Sequence, residues 1–257
     1  MTGEIALRVD HVSKSFGGLL ATNDVSFDVV EHSLTALIGP NGAGKTTLFN
    51  LITNLFTIDT GRVEFHGQSL AGLSPGAIAR RGLIRTFQTA RVFPGMTVLE
   101  NVLSGRHRLL KKGLLSNMAW LPAARAEERK LAEQALALLD LVGLADRAQR
   151  PATELPMGAQ KLLEVIRALM AQPRLLLLDE PAAGLNDTET AELATLLRAV
   201  RACGVTVMVV EHNMSLVMTI ADQVVVLEAG ALIAAGAPAE IQANKRVIAA
   251  YLGEDPV

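Results

Sequence analysis

Residues 37–47 read LIGPNGAGKTT, and this stretch decides which fold the sequence predicts. Within it, residues 39–46 follow the spacing G-x-x-x-x-G-K-[S/T], between an apolar run at 34–38 and a helical pattern at 46–55. Glycines let the backbone curl until its N–H groups face an anion, and the following helix adds its positive end. We therefore predict a strand, a phosphate-binding loop and a helix, with Lys45 on the β- and γ-phosphates of a nucleotide and Thr46 on Mg²⁺. The predicted nucleotide-binding residues of this loop are Gly39, Pro40, Asn41, Gly42, Ala43, Gly44, Lys45, Thr46 and Thr47.

Short apolar runs of strand length predict a parallel sheet that is buried on both faces. They cover residues 34–38, 175–178, 205–210 and 224–227, and helical patterns alternate with them. The N-terminal part differs, because residues 5–12 and 25–29 alternate apolar and polar side chains and residues 61–65 resemble a further strand. The sequence therefore predicts an α/β fold with an antiparallel layer at one edge.

The strand pattern vanishes between residues 98 and 151. Residues 97–108 and 123–141 have helical patterns, and Thr97 and Glu100 have the spacing of a capping box. This predicts a helical subdomain inserted into the α/β core, and a C-terminal tail whose helical stretch ends near Leu252. The expected division is residues 1–97 and 171–236 for the core, 98–170 for the helical subdomain and 237–257 for the tail.

Composition excludes several classes of protein. The chain has 257 residues, of which half are hydrophobic, so it can bury the core of one large domain with a subdomain. With 24 basic and 26 acidic residues the net charge is −2, which gives no overall attraction to nucleic acid or to anionic lipid. Cys203 is the only cysteine, so no internal disulfide forms. No apolar run approaches the roughly 20 residues that span a bilayer.

Polar side chains follow two of the predicted parallel strands. Asp179 and Glu180 come directly after the run at 175–178, and His212 comes after the run at 205–210. Ligands sit at the carboxyl ends of strands in open parallel sheets, so we expect these residues at one edge. Asp179 would hold Mg²⁺ through water, and Glu180 would polarise an attacking water. His212 would hydrogen-bond a γ-phosphate or that water, although a lone histidine after a strand is more often an ordinary loop residue.

Gln88 and Phe16 carry weaker signals. Gln88 lies in RTFQTARVFPGMTVLENV, where the core meets the helical insert, and it either reaches Mg²⁺ and water or faces solvent. Phe16 either stacks on adenine or belongs to the core, and the sequence leaves both readings open. The arginines that flank Gln88 are Arg80, Arg81, Arg85 and Arg91.

A short basic run lies within the predicted helical subdomain. It consists of Arg106, His107, Arg108, Lys111 and Lys112. One hypothesis places it near lipid headgroups or an acidic loop of a partner, where each charge contributes on the order of 1 kcal/mol. A solvated surface fits the pattern equally well.

With these features, the chain resembles the ATP-binding cassette (ABC) ATPases over nearly its whole length. The features that carry the resemblance are GPNGAGKT, Gln88, LLLLDEP, His212 and the helical insert. A narrower resemblance is to the cytoplasmic ATPase subunits of branched-chain amino-acid importers. It is carried by RTFQTARVFPGMTVLENVL, DEPAAGLN, VVEHNMSLVM and VIAAYLGE. The resemblance implies a P-loop NTPase (RecA-like) core. It makes Glu180 the general base, His212 the switch histidine and Phe16 the adenine platform. It makes Gln88 the Q-loop glutamine, so that the implied metal ligands are Thr46, Gln88 and Asp179.

Residues 154–160, ELPMGAQ, fall where this family carries its signature L-S-G-G-Q. In the family, the signature of one subunit covers the ATP bound to the other. The resemblance implies this role in trans for Leu155, Pro156, Met157, Gly158 and Ala159, together with the D-loop residue Asn186. Pro156 lacks the hydroxyl of the family's serine, and many members carry aspartate in place of Asn186. A plain helix start without a binding role remains the alternative for this stretch.

The resemblance also implies cofactors, partners and a location. ATP and Mg²⁺ are the expected cofactors. The expected partners are a second cassette in a homodimer or heterodimer, two transmembrane permease subunits and, indirectly, a solute-binding protein, with no nucleic acid. The chain would then be peripheral, at the cytoplasmic face of the inner (plasma) membrane.

Three other functions compete with import of branched-chain amino acids or a related solute. The ATPase subunits of lipid or lipopolysaccharide exporters share the fold and a similar YLGE ending. A non-hydrolysing cassette of an asymmetric pair is supported only by the altered signature. Soluble ABC proteins that act on ribosomes or DNA usually have two cassettes, a coiled coil or zinc motifs, and this chain has a single cassette. The solute itself leaves no trace in the sequence.

Overall fold

The computed structural model describes residues 3–86, 92–106 and 122–252, and its α/β architecture confirms the predicted fold class. The described chain divides into two compact units. The first contains the described residues of 1–88, 174–183 and 197–257, and the second those of 89–173 and 184–196. The strands are β1 Ile5–Phe16, β2 Leu19–Val30, β3 Leu34–Ile38, β4 Thr60–Phe65, β5 Gln68–Ser69, β6 Leu83–Arg85, β7 Leu175–Asp179, β8 Thr206–Val210, β9 Gln223–Glu228 and β10 Ala231–Gly236. The helices are α1 Lys45–Ile52, α2 Pro75–Arg80, α3 Val98–Ser104, α4 Pro122–Asp140, α5 Met157–Met170, α6 Asp187–Ala202, α7 Met214–Ile220, α8 Pro238–Ala243 and α9 Lys245–Leu252.

The first unit contains two sheets. One is antiparallel, with the order β2-β1-β4-β5, and it is the predicted edge layer. The other has the order β10-β9-β3-β8-β7-β6, in which every pair is parallel except β10 with β9. Every residue of β3, β7 and β8 is buried, as the uniformly apolar runs predicted.

Helix α1 is anchored in the hydrophobic core of this unit. Its Leu48, Phe49, Leu51 and Ile52 are fully buried in one cluster with side chains from both sheets. The helix ends at Ile52, three residues before the predicted end, and the Thr53 hydroxyl then donates to the Phe49 carbonyl oxygen over 2.8 Å. Because so much apolar surface holds α1, the loop that precedes it has a rigid base.

The second unit is helical in the described residues. Helix α3 begins with the predicted capping box, since the Glu100 N–H donates to the Thr97 hydroxyl over 3.1 Å and the Thr97 N–H donates to the Glu100 carboxylate over 2.8 Å. The helix ends at Ser104, earlier than predicted, and residues 107 and 108 of the predicted helix lie outside the described residues. Helix α4 buries Ala135 and Leu139, two members of its apolar face.

The C-terminal tail contains two helices, α8 and α9, instead of one helical stretch. Asn244 separates them in an extended conformation, and Ile241 and Val247 are buried. None of the helices in the described ranges combines the length and the hydropathy needed to cross a bilayer.

Candidate nucleotide site

Three neighbouring strands of the parallel sheet end in the same row. Strand β8 lies between β3 and β7, and Val210 pairs with both Leu37 and Asp179. The residues that follow are therefore brought to one edge: the phosphate loop after β3, Glu180 after β7 and His212 after β8. The sequence predicted this convergence from the position of each motif at a strand end.

Close backbone contacts explain the two outer glycines of the loop. At Gly39, with φ 148°, a Cβ would lie 2.1 Å from the Leu227 carbonyl oxygen. At Gly44, with φ 95°, a Cβ would lie 2.4 Å from the Ala21 carbonyl oxygen. No side chain fits at either position. Helix α1 then begins without a side-chain cap and without an acidic residue in its first turn, which leaves its positive end for an anion.

The side chain of Lys45 is buried and lies across the loop. Its Nζ donates to the Gly39 carbonyl oxygen over 2.7 Å and to the Pro40 carbonyl oxygen over 2.9 Å. Burial lowers the pKa of Lys45, while the charges of Glu180 and Asp179 oppose the shift. The ammonium is thus held on neutral oxygens at the edge where the carboxylates lie.

Asp179 forms a buried ion pair with Arg85, which ends β6. The Arg85 Nη2 donates to Asp179 Oδ2 over 2.9 Å, and the two side chains are 8% and 4% exposed. The same guanidinium donates through Nη1 to Asn50 Oδ1 over 2.7 Å and to the Thr53 hydroxyl over 3.2 Å. Sequence reasoning placed Arg85 only among the charges that flank Gln88 and missed this pairing.

Glu180 has an uncommon backbone conformation, with φ 48°. A residue other than glycine in this left-handed region is strained and is held there by its surroundings. Here the Glu180 N–H donates to the Val210 carbonyl oxygen over 2.9 Å, and the Ala183 N–H donates to the Glu180 carbonyl oxygen over 3.1 Å. These two hydrogen bonds fix the backbone of the turn that begins at Glu180.

Glu211 is a second residue that sequence reasoning missed. It is fully buried, and its Oε1 accepts from the Ala182 N–H over 2.7 Å. Its Oε2 accepts from the N–H groups of His212 and Asn213 over 3.1 and 3.3 Å. Burial raises the pKa of Glu211, and these hydrogen bonds oppose the shift. Glu211 therefore joins the turn after Glu180 to the turn that carries the exposed His212.

Phe16 lies at the end of β1 and is 41% exposed, so it is not a core residue. The ring of Phe56 meets it edge-on, with 5.2 Å between centroids. The Lys14 ammonium lies 5.4 Å from the centroid of the Phe16 ring and pairs with Asp59 over 2.6 Å. Phe56 was not predictable as a neighbour, because it lies 40 residues further along the chain, whereas Lys14 belongs to the same strand as Phe16.

In the second unit, the signature stretch opens α5. Pro156 is the N-cap residue, with φ −56° and ψ 157°, and it offers no side-chain cap. Met157 is 61% exposed, while Leu155 is buried and its carbonyl oxygen accepts from Gln160 Nε2 over 2.8 Å. The helix start therefore presents backbone N–H groups near Gly158 and Ala159 without a hydroxyl.

Gly158 packs against the start of α6. A Cβ at this position would lie 2.3 Å from Glu189 Oε1. The other carboxylate oxygen of Glu189 accepts from the Asn186 N–H over 3.0 Å, and the Asn186 side chain accepts from the Glu189 N–H over 3.0 Å. Through Glu189, this reciprocal cap links Asn186, the predicted D-loop residue, to Gly158 within one unit.

Two of the predicted features lie outside the described residues. They are Gln88 and the basic run after Arg106. Across the described ranges, no group of three or more His, Cys, Asp and Glu residues is placed to hold a metal. Asp179 and the exposed Thr46 still suit Mg²⁺, because this ion is commonly bound by one or two protein oxygens, several waters and substrate phosphates.

Comparisons with known proteins agree with this geometry. The sequence profile described as "ABC transporter" matches residues 22–183, and the profile described as "Branched-chain amino acid ATP-binding cassette transporter" matches residues 231–257. The chain is 45% identical to the high-affinity branched-chain amino acid transport ATP-binding protein BraF of Pseudomonas aeruginosa, covering 96% of this chain and 98% of that one. It is 43% identical to the corresponding protein LivG of Escherichia coli, with the same coverage.

Solved structures give the same result. The chain superposes on an ATP-binding cassette of an ABC transporter in its ADP conformation with a TM-score of 0.85 and 33% identity, covering 98% of this chain and 100% of that one. A nucleotide-free ATP-binding cassette from an ABC transporter gives a TM-score of 0.84 and 32% identity, covering 97% of this chain and 100% of that one.

Proposed function

The chain belongs to the ABC transporter family, whose cassettes bind and hydrolyse ATP, and on this premise we propose that it powers the uptake of branched-chain amino acids or a related small solute. The relatives just described carry this transport in their names and match nearly the full chain. They favour an importer over an exporter of lipid or lipopolysaccharide. The proposal rests on one observation: β3, β8 and β7 end at the same edge of the parallel sheet, because Val210 pairs with both Leu37 and Asp179.

Each group at this edge has a role in binding or hydrolysing ATP. The N–H groups of the loop and of the α1 start bind the phosphates, and the Lys45 ammonium moves from the loop carbonyl oxygens to the β- and γ-phosphates. Thr46, Asp179 and Gln88 would hold Mg²⁺, which would neutralise charge on the phosphate oxygens. Glu180 takes the proton of the attacking water, and His212 hydrogen-bonds the γ-phosphate. The exposed ring of Phe16 stacks on adenine.

Transport follows from pairing of two cassettes. In this proposal each ATP is enclosed between the phosphate loop of one cassette and residues 155–159 of the other, with Asn186 nearby. ATP drives closure because it binds the closed pair better than the open one. Two transmembrane permease subunits follow the closure, a solute-binding protein selects the solute, and the chain lies at the cytoplasmic face of the membrane.

The test is the ATPase rate of the purified chain and of its complex with the permease subunits. We expect slow hydrolysis by the chain alone and faster hydrolysis in the complex. Glu180→Gln should lower kcat by about 10²–10⁴-fold, because it removes the general base, and should form ATP-dependent dimers visible by light scattering.

The matched control is Glu133→Gln on α4, since Glu133 is exposed and far along the chain from the site residues. It should leave both the rate and the dimerisation unchanged. ATP binding without any hydrolysis in the complete complex would contradict the proposed enzyme activity and would favour a regulatory cassette.

A further inference from the structure

Strand β6 ends in an arginine whose charge is buried. The Arg85 side chain is 8% exposed, and its guanidinium lies 5.6 Å from the centroid of the Phe49 ring. A buried cation persists only where anions and hydrogen-bond acceptors surround it. These groups include Asp179 at the end of β7, Asn50 in α1 and Thr53 directly after α1.

These three partners of Arg85 belong to the proposed nucleotide site. Asp179 is the proposed magnesium carboxylate, and α1 is the helix that begins with Lys45 and Thr46. Arg85 engages Asp179 Oδ2 in a direction fixed by its simultaneous bonds to Asn50 and Thr53. The carboxylate is thereby held in one orientation through Oδ2, the oxygen that accepts from Arg85. The planar guanidinium suits this task, because its donors point in fixed directions.

The charge of Arg85 has a second consequence. Before the metal arrives, Asp179 is 4% exposed and needs a counter-charge, which Arg85 supplies at 2.9 Å. The Arg85 guanidinium would repel a Mg²⁺ ion bound at the same carboxylate. Arg85 therefore stabilises the metal-free site and, by linkage, weakens metal binding to it.

We propose that Arg85 is the positioning residue of the magnesium site: it orients the Asp179 carboxylate and acts as its internal counter-cation until Mg²⁺ binds. This inference rests on the proposed function, since it assigns Asp179 to the metal. It predicts separate effects for the charge of Arg85 and for its geometry, which two substitutions distinguish.

The first substitution, Arg85→Met, removes the charge. The melting temperature of the full-length chain is measured with ATP plus EDTA and with ATP plus increasing Mg²⁺. We expect a lower melting temperature in EDTA than for the natural chain, and a larger stabilisation by Mg²⁺. The Mg²⁺ concentration for half of that shift should fall on the order of fivefold, a typical coupling between two linked groups.

The second substitution, Arg85→Lys, keeps the positive charge but removes the planar guanidinium with its fixed donor directions. The compact ammonium cannot hold Asp179, Asn50 and Thr53 together in the same geometry. We expect a Mg²⁺ response like that of the natural chain but a kcat at least several-fold lower, with little change in KM. Arg81→Met is the matched control, because the Arg81 side chain is exposed and donates only to the Ser69 carbonyl oxygen in the described structure. It should behave like the natural chain in both measurements.

Two results would overturn the inference. One is a Mg²⁺ response of Arg85→Met equal to that of Arg81→Met, which would make Arg85 a structural residue only. The second result applies if Arg85→Met is too unstable for its Mg²⁺ response to be measured. The stability of the double variant Arg85→Met, Asp179→Asn then tests whether the two charges are paired. It should recover stability, because removing both charges of a buried pair is tolerated better than removing one. A double variant as unstable as Arg85→Met would equally reject the pairing.

Failure of the proposed function would give a different result, since the natural chain itself would then show no stabilisation by Mg²⁺ and ATP.

Discussion

At the scale of single residues, the buried carboxylate of Glu211 has the most testable pH dependence. Its pKa is raised above the ordinary 4.5, chiefly by burial. A raised carboxyl pKa means that the folded state binds more protons than the unfolded state between the two pKa values. The stability that Glu211 contributes is therefore fully present below pH 4.5 and falls as the pH rises through the folded pKa.

We predict that Glu211→Gln lowers the free energy of unfolding by about 1–3 kcal/mol. The NH₂ group of the new glutamine cannot accept a hydrogen bond, so at least one backbone N–H group that now donates to Glu211 loses its acceptor. The difference between the natural chain and the variant should be largest in acid and should shrink toward neutral pH. Urea unfolding at a series of pH values measures it. Glu192→Gln, at an exposed glutamate, is the control and should give a small difference. A difference that grows with rising pH would mean that the pKa is lowered instead.

The positions of single residues were predictable where a motif fixes the local backbone. The spacing of residues 39–46 placed the loop, and four leucines placed Asp179 at a strand end. Arg85 and Glu211 were not predictable, because their partners lie far away along the chain and no local pattern records the pairing. Only the fold shows that Arg85 reaches Asp179 and that Glu211 reaches Ala182.

At the scale of elements, the starts of α5 and α6 pack closely where Gly158 meets the Glu189 side chain. The Cβ of Gly158→Ala would lie 2.3 Å from Glu189 Oε1, so the carboxylate must move and the Asn186 N–H loses its acceptor. We predict that Gly158→Ala destabilises the chain by about 1–3 kcal/mol, which is usual for overpacking. Adding Glu189→Ala should recover part of this loss, so that the double variant is more stable than the sum of the single changes predicts.

Thermal or urea unfolding of the four proteins measures this coupling. Gly76→Ala in α2 is the control, because the nearest atom to its Cβ would be the far end of the Arg80 side chain at 3.8 Å. It should be neutral or stabilising. Strictly additive effects of Gly158→Ala and Glu189→Ala would show that the two helix starts are independent.

Elements were predicted best where the whole segment has one environment. Strand β3 was placed correctly at Leu34–Ile38, since all five residues are buried. Strand β6 was missed because three residues, one of them Arg85, are too few to show a period. Strand β10 was missed because its residues Ala231–Gly236 are mostly half-buried and lack contrast between faces. Its antiparallel pairing with β9 is set by the turn between them and not by hydrophobicity.

At the scale of the whole molecule, residues 155–159 and Asn186 lie in one compact unit. That unit draws residues 184–196 from the chain after Glu180, in addition to residues 89–173. Both groups proposed to meet the ATP of a second cassette are therefore carried together. Changes at the start of α5 should for this reason appear in the pairing of two chains.

We predict that Pro156→Ser with Met157→Gly strengthens ATP-driven pairing, measured in the Glu180→Gln background by light scattering against protein concentration. A serine at the N-cap position can bond a free N–H of α5, at about 1 kcal/mol, and it can offer its hydroxyl to the phosphate of the second cassette. Met157→Leu is the control, because it keeps an exposed apolar side chain of similar volume. Pairing equal to that of Met157→Leu would show that residues 155–159 do not meet the nucleotide.

The size of the effect also reports how the cassettes pair. One hydrogen bond to a charged group contributes about 1.5–3 kcal/mol, which is roughly tenfold or more in an equilibrium constant. A homodimer contains the altered stretch twice, so the gain per site is squared in the pairing constant. A heterodimer with a related cassette contains it once. A pairing constant that rises about a hundredfold with the purified chain alone would thus indicate two identical sites. Pairing that requires a second cassette, with a constant that rises about tenfold, would indicate that residues 155–159 serve one site of an unequal pair.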